Sequence, residues 1–177
     1  MYPLLRTAKE LWLNRNAEPL AIGQDHVTRV TAWPWDIDIF LDLNNGRVLT
    51  LFDLGRLGLF QRMGILRTLK ARGWYGTVAG TAIRYRKRIT MFQRLELRTR
   101  VIGWDDRFTY FEQAFWRGGD CVAHAVVRTA ITGGKGIVPS AEVVRALGMP
   151  EDSPALPDWI RHWAHAEDIR NWPPERR

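Results

Sequence analysis

Apolar and polar positions change period several times along this chain, and each change marks an element. Residues 27–35 form an apolar, strand-like run. Residues 47–63 are apolar almost all round, which predicts a long helix buried on most of its surface. Its polar positions Thr50, Asp53 and Arg56 recur every three residues, leaving one narrow polar stripe. Gly55, Gly58 and Gly64 weaken such a helix in isolation but let a neighbouring backbone approach closely. Beyond Gly73 the period becomes strand-like. Residues 78–88 are one candidate strand, and residues 94–101 alternate strictly, with Leu95, Leu97, Thr99 and Val101 on one face. Turn residues at 104–107 and 118–120 separate two further strands, 108–116 and 121–131. Short helices follow at 139–147 and 157–171, and residues 173–177 are a frayed tail. The order predicts an α+β fold: an antiparallel five-stranded sheet wrapped around one central helix, with the last four strands forming a meander.

The chain has 177 residues, 46% of them hydrophobic, which is one domain with enough apolar material for a core. Nine Trp and seven Phe make that core, or a groove within it, aromatic. The single Cys121 forms no internal disulfide, and four scattered His offer no metal-ligand spacing, so neither a metal nor a cofactor is expected. No run approaches the ~18 apolar residues of a membrane span. The N-terminal stretch carries Arg6, Lys9 and Glu10 inside its apolar pattern and is not read as a signal peptide, which predicts a cytoplasmic protein. It is instead a short amphipathic helix, packed on the domain in preference to resting on a membrane surface. The net charge is +7, but residues 151–177 carry −2, so the rest carries +9. Its densest basic stretch, Arg84-Tyr85-Arg86-Lys87-Arg88, suits an anionic partner or a solvated sheet edge. No nucleic-acid motif accompanies it, so nucleic-acid binding is not expected.

The segment with chemistry in it is Asp36-Ile37-Asp38, followed six residues later by Asn44-Asn45 at the start of the long helix. A helix N-terminus presents unpaired N–H groups and positive partial charge, which suit an anion or a polarised carbonyl. A carboxylate held beside it can attack that carbonyl or activate water against it. The alternative is purely local: Asp36 and Asp38 cap a turn, and Asn44 or Asn45 caps the helix.

This segment resembles the motif of the hotdog-fold acyl-CoA thioesterases, and more narrowly of the 4-hydroxybenzoyl-CoA thioesterase-like branch. That motif is typically Asp-Thr-Asp, three variable residues, His, a hydrophobic residue, Asn-Asn, a short residue, Arg and Tyr. Here it stands as Asp36-Ile37-Asp38, residues 39–41, Asp42, Leu43, Asn44-Asn45, Gly46-Arg47-Val48. The helix continues as Phe52-Asp53-Leu54-Gly55-Arg56 where the family often has Phe-Glu-Glu-Ala-Arg. Residues 92–112 resemble the thioesterase subgroup that includes a membrane-associated animal member; the hydrophobic N-terminal anchor of that member is not expected here. The resemblance spans roughly residues 25–170 and implies one hotdog domain over 1–177, its core about 25–135 and a helical extension about 139–172.

By that resemblance Asp38 is the catalytic carboxylate, as nucleophile or as general base for water. Asn45 is the helix-start residue whose backbone N–H polarises the substrate carbonyl. Asp36 fixes the turn. Asp42, Asn44, Arg84 and Arg86 are expected at the substrate, the last two on coenzyme A phosphates. Asp42 stands where the family usually has His, and Val48 where it has Tyr. The Asp, Asn and His network of plant acyl-carrier-protein thioesterases is absent, since the corresponding residues are Asp38, Phe40 and Asp42. If Asp42 lies close to Asp38, like-charge repulsion should raise one carboxyl pKa. The resemblance thus implies an acyl-CoA hydrolase acting as a homodimer or tetramer. The alternative is a non-catalytic acyl-chain or lipid-binding protein that has lost the hydrolytic network.

Overall fold

The long apolar run becomes helix α2, Asn45–Arg62, in a computed structural model that describes residues 3–176. Met1 and Tyr2 of the N-terminal segment and Arg177 of the tail lie outside the described residues. Asn44 starts the helix as its N-cap: the side-chain oxygen accepts the N–H groups of Gly46 and Arg47, which would otherwise be orphaned. Along α2, Leu51, Phe52, Leu54 and Leu59 are buried almost completely, and Phe52 stacks on Phe115 at 4.8 Å. The polar stripe does not simply face water. Arg56 turns inward, bonding Asp53 on the helix and Gln113 on the sheet.

Five long strands and one short one make a single antiparallel sheet. They are β1 (His26–Thr31), β2 (Tyr75–Tyr85), β3 (Arg94–Trp104), β4 (Thr109–Arg117), β5 (Asp120–Gly133) and β6 (Gly136–Ile137). The spatial order is β1-β3-β4-β5-β2, with β6 on β5. Only β3, β4 and β5 form the meander. The expected four-strand meander is therefore wrong, because β2 pairs with β5 at the far edge, and residues 86–93 cross the end of the sheet to reach β3. Alternation reveals which face a residue occupies, not which strand is its neighbour. β1 is also shorter than the apolar run. Pro34, which has no N–H for the ladder, opens a 3-10 turn over Pro34–Asp36 instead.

The inward face of β3 is the alternating set Leu95, Leu97, Thr99 and Val101, all buried. Helix and sheet approach closely there: a Cβ on Gly55 would lie 2.6 Å from Leu97 Cδ2. A Cβ on Gly58 would collide with the His26 ring and the Glu10 carboxylate. The helix glycines thus make room for side chains, not for the backbone expected from sequence.

Four further helices among the described residues matter to the surface. Helix α1 (Leu4–Leu13) packs on the domain through a polar contact. Its buried residue is Glu10, whose Oε1 accepts from Thr28 Oγ1 at 2.8 Å and lies 2.8 Å from His26 Nε2. Its apolar residues Leu4, Leu5, Trp12 and Leu13 are exposed. Helix α3 (Ile65–Arg72), which periodicity does not announce, follows α2 through left-handed Gly64 and buries only Ile65 and Leu69. Helix α4 (Ser140–Ala146) adds Val143 and Val144 to the cluster around Phe60 and Phe111. Helix α5 (Asp158–Ile169) buries Ile160 against Phe108, Tyr110 and Val126. Because Tyr110 and Phe111 point to opposite faces of β4, α5 covers the face that α2 does not. No helix among the described residues is long and apolar enough to cross a membrane.

Candidate active site

The Asp-x-Asp segment folds back on itself as a tight hairpin leading directly into α2. Asn44 N–H donates to the Asp36 carbonyl at 2.9 Å, Ile37 bridges Leu43, and Asp38 N–H donates to the Asp42 carbonyl at 2.8 Å. Leu41 N–H closes the turn on the Asp38 carbonyl at 3.0 Å, with Leu41 itself left-handed at φ 59°.

The three carboxylates of this hairpin have different surroundings. Asp36 is buried. Its Oδ2 accepts from Arg6 at 2.6 Å and from Trp33 N–H at 3.0 Å, and Arg47 lies 3.7 Å from Oδ1. It ties α1, the 3-10 turn and α2 together, a structural role consistent with fixing the turn. Asp42 accepts through Oδ1 from the N–H groups of Leu43 (2.9 Å) and Ile89 (2.8 Å), and its Oδ2 pairs with Arg88 Nε at 3.4 Å. All of these partners are protein groups, and they anchor the hairpin to the 86–93 crossover. Arg88, which also donates to the Phe40 carbonyl, supplies the positive charge that the expected Asp38–Asp42 repulsion left out.

Asp38 is different. Its Oδ1 accepts from Phe40 N–H at 2.8 Å and Asp42 N–H at 3.3 Å, while Oδ2 accepts no hydrogen bond among the described residues. The carboxylate is therefore oriented by backbone and retains one unused oxygen, at a half-buried position. At the helix start, Asn44 occupies the N–H groups of Gly46 and Arg47 with its side chain and that of Val48 with its carbonyl. The N–H of Asn45 alone is left without a partner among the described residues. The hairpin thus holds one free carboxylate oxygen and one free helix-start N–H in the same short segment.

Arg84 and Arg86 are exposed at the end of β2 and the start of the crossover that carries Arg88. Arg84 opens on a pocket of about 340 Å³ with His124 and Trp159. The roomiest cavity described, about 540 Å³, lies between α1 and β1 with Arg6, Lys9, Arg29 and Trp33 in its wall, and neither Asp38 nor Asn45 lines it. Asp38, half-buried in the hairpin, lines neither of these pockets.

Two other titratable groups stand out. Burial pushes the Asp53 carboxyl up, against the opposing pull of Arg56. Glu112 is held below its ordinary value, first by the hydrogen bond from His124 (2.9 Å) and then by Arg100 (2.7 Å). Neither the Glu112–His124 pair nor the Arg6 and Arg88 partners are visible along the sequence. The strand register places Arg100 directly opposite Glu112, whereas His124 reaches Glu112 diagonally from its own position opposite Ala114.

A model of the thioesterase-like superfamily matches residues 32–164. Protein THEM6 of Xenopus laevis is 31% identical over 137 residues, covering 76% of this chain and 65% of that protein. Protein THEM6 of Danio rerio is also 31% identical, over 71% of this chain and 64% of that protein. The chain thus spans just under two thirds of the length of these curated relatives. Among solved structures, the probable thioesterase YbaW from Escherichia coli superposes with a TM-score of 0.64 at 17% identity, over 68% of this chain and 95% of that one. A DHNA-CoA thioesterase from Staphylococcus aureus does so with a TM-score of 0.61 at 14% identity, over 82% and 92%. The fold they share with this chain is the hotdog.

Proposed function

Because the chain belongs to the thioesterase-like superfamily, we propose that it hydrolyses an acyl thioester, of coenzyme A or a similar carrier, to the free acid and thiol. The observations that carry this reading are the unused Asp38 Oδ2 in the hairpin and, at the start of the α2 helix it leads into, an Asn45 N–H with no partner among the described residues. Asp38 Oδ2 either attacks the carbonyl carbon, expelling the thiolate and leaving an anhydride for water to cleave, or takes a proton from the attacking water. In both routes negative charge grows on the carbonyl oxygen, where the Asn45 N–H and the α2 dipole are the stabilising groups. Asn44 serves by capping the neighbouring N–H groups, and Asp42 by fixing the turn around Asp38. Arg84 and Arg86 meet the phosphates of the carrier. The reaction needs no cofactor and takes place in the cytoplasm. A second copy joins along the free edge of β2.

The test is thiol release from a panel of acyl-CoAs, short to long and aromatic, by wild type and Asp38→Asn. Turnover is expected to fall by about 10²-fold or more, the scale of a lost general base, with substrate affinity changed far less. Turnover within about threefold of wild type would move the chemistry elsewhere. A second reading, non-catalytic binding of an acyl chain, draws support from Asp42, which occupies the usual His position yet is bound on both oxygens. Under it, acyl-CoA is recovered intact after prolonged incubation.

A further inference from the structure

The hairpin and the crossover expose an unusual amount of apolar surface at one end of the sheet. Trp35, Ile39, Phe40 and Leu41 are 65–89% exposed, and Phe92 beside them is 58% exposed. Trp33 stacks on Trp35 at 5.5 Å and meets Phe92 edge-on at 6.1 Å, so the two segments form one surface. Side chains of this size seldom cluster outside a soluble domain without a partner. Leu41 and Phe92 also hold left-handed backbones, at φ 59° and 66°, a conformation that large side chains rarely adopt. Hydrogen bonds fix both: Leu41 N–H to Asp38, and Phe92 N–H to the Ala32 carbonyl at 2.6 Å. The outward apolar tips are thus built into the turns.

The charges around this surface are one-sided. Arg84, Arg86, Lys87 and Arg88 run directly into the crossover, and Arg84 and Arg86 make no ion pair with a described residue. Of the nearby acids, Asp36 is buried on Arg6, Asp42 pairs with Arg88 and Asp120 pairs with Lys87, which leaves Asp38 as the one without a cation among the described residues. Protruding Trp, Phe, Ile and Leu tips, with Arg88 on the Phe40 carbonyl and a basic run leading into the same crossover, fit a lipid headgroup layer, where aromatic rings settle at the interface and cations meet anionic lipid. A second copy fits less well. The tips protrude on turns and form no groove, and Trp33 and Phe92 flank β1 and β3, whereas the free edge suited to pairing is β2 across the sheet.

We propose that the face formed by Trp33, Trp35, Ile39, Phe40, Leu41 and Phe92 docks on an anionic lipid surface. This inference rests on exposure and charge and does not depend on the thioester reading. Docking sets Asp38, between Trp35 and Ile39 in the same hairpin, against the layer from which an acyl chain would enter.

The test is cosedimentation of the full chain with vesicles of phosphatidylcholine alone and of equimolar phosphatidylcholine and phosphatidylglycerol. Binding is expected to the anionic vesicles, weakening as salt rises. The double variant Ile39→Glu/Phe40→Glu should lower it by about tenfold or more, since two large apolar side chains leave the layer. Should that variant misfold by circular dichroism, Trp35→Gln/Met91→Gln provides the same comparison, since Met91, next to Phe92 in the crossover, is also exposed. Absence of binding to both vesicles overturns the proposal, as does equal binding by the folded variant. It is also overturned if light scattering without lipid shows that the variant has lost a self-association present in wild type, which would make this face a subunit contact.

Discussion

Asp42 occupies the position where motif and structure part, and its chemistry is decided by what it touches. Removing its carboxylate in Asp42→Ala leaves the Ile89 N–H and the Arg88 guanidinium without their acceptor. The expected loss is about 1–3 kcal/mol, the scale for a buried donor left unsatisfied. Asp42→Asn keeps an acceptor and loses mainly the pairing with Arg88, whose side chain is 64% exposed, so it should cost about 0–1 kcal/mol. Urea unfolding of the two variants checks this, and equal stability in both would mean that the Ile89 contact contributes nothing. At this scale the sequence was legible wherever partners are close in the chain. The spacing of Asp38, Asn44 and Asn45 predicts a carboxylate beside a helix start; Asp38 lies in the hairpin, Asn44 caps α2 and Asn45 begins it. Arg6, which holds Asp36 from 30 residues away, and Arg88, which holds Asp42, are beyond any local pattern. Arg88, the cation that pairs with Asp42, is thus absent from a reading of neighbouring acids alone.

Elements were legible where one period persists. The strict alternation of residues 94–101 became β3, and the all-apolar run became α2. Where the period is short or weak, as in the eight residues of α3, no signal rises above the flanking helix. Strand adjacency was legible where a short turn joins two strands, β3 to β4 and β4 to β5, but not for β2, because nothing in it states that its partner is β5. Adjacency also creates Glu112–His124–Arg100, which ties β3, β4 and β5 together on one face. Glu112 has its pKa lowered in the fold, so it contributes stability that is present above its unfolded value of 4.5 and lost as pH falls through the folded value. Wild type should therefore melt higher than Glu112→Gln near neutrality, and the gap should close below about pH 4.5. Thermal denaturation of both proteins from about pH 7 to about pH 3 measures it. A gap independent of pH would assign the loss to packing.

The whole molecule leaves one long edge open. β2 runs for 11 residues, and not one of them is buried in the single chain. Tyr75, Val78 and Tyr85 are exposed along it, and no described strand pairs with its outer side. An apolar edge of that length invites pairing with another chain unless charge or proline blunts it. The only charged residue in β2 is Arg84, near its end, and the strand has no proline. A second copy adding its own β2 in antiparallel register satisfies the edge and extends the sheet, which is why the proposed function includes a homodimer. Val78 lies near the middle of the strand, so Val78→Lys sets one cation in each copy close to the seam. Light scattering should then report half the wild-type mass. An unchanged mass would place the contact away from β2. The apolar turns at the end of the sheet provide the internal control: Ile39→Glu/Phe40→Glu should keep the wild-type mass, because those side chains face lipid and not the seam.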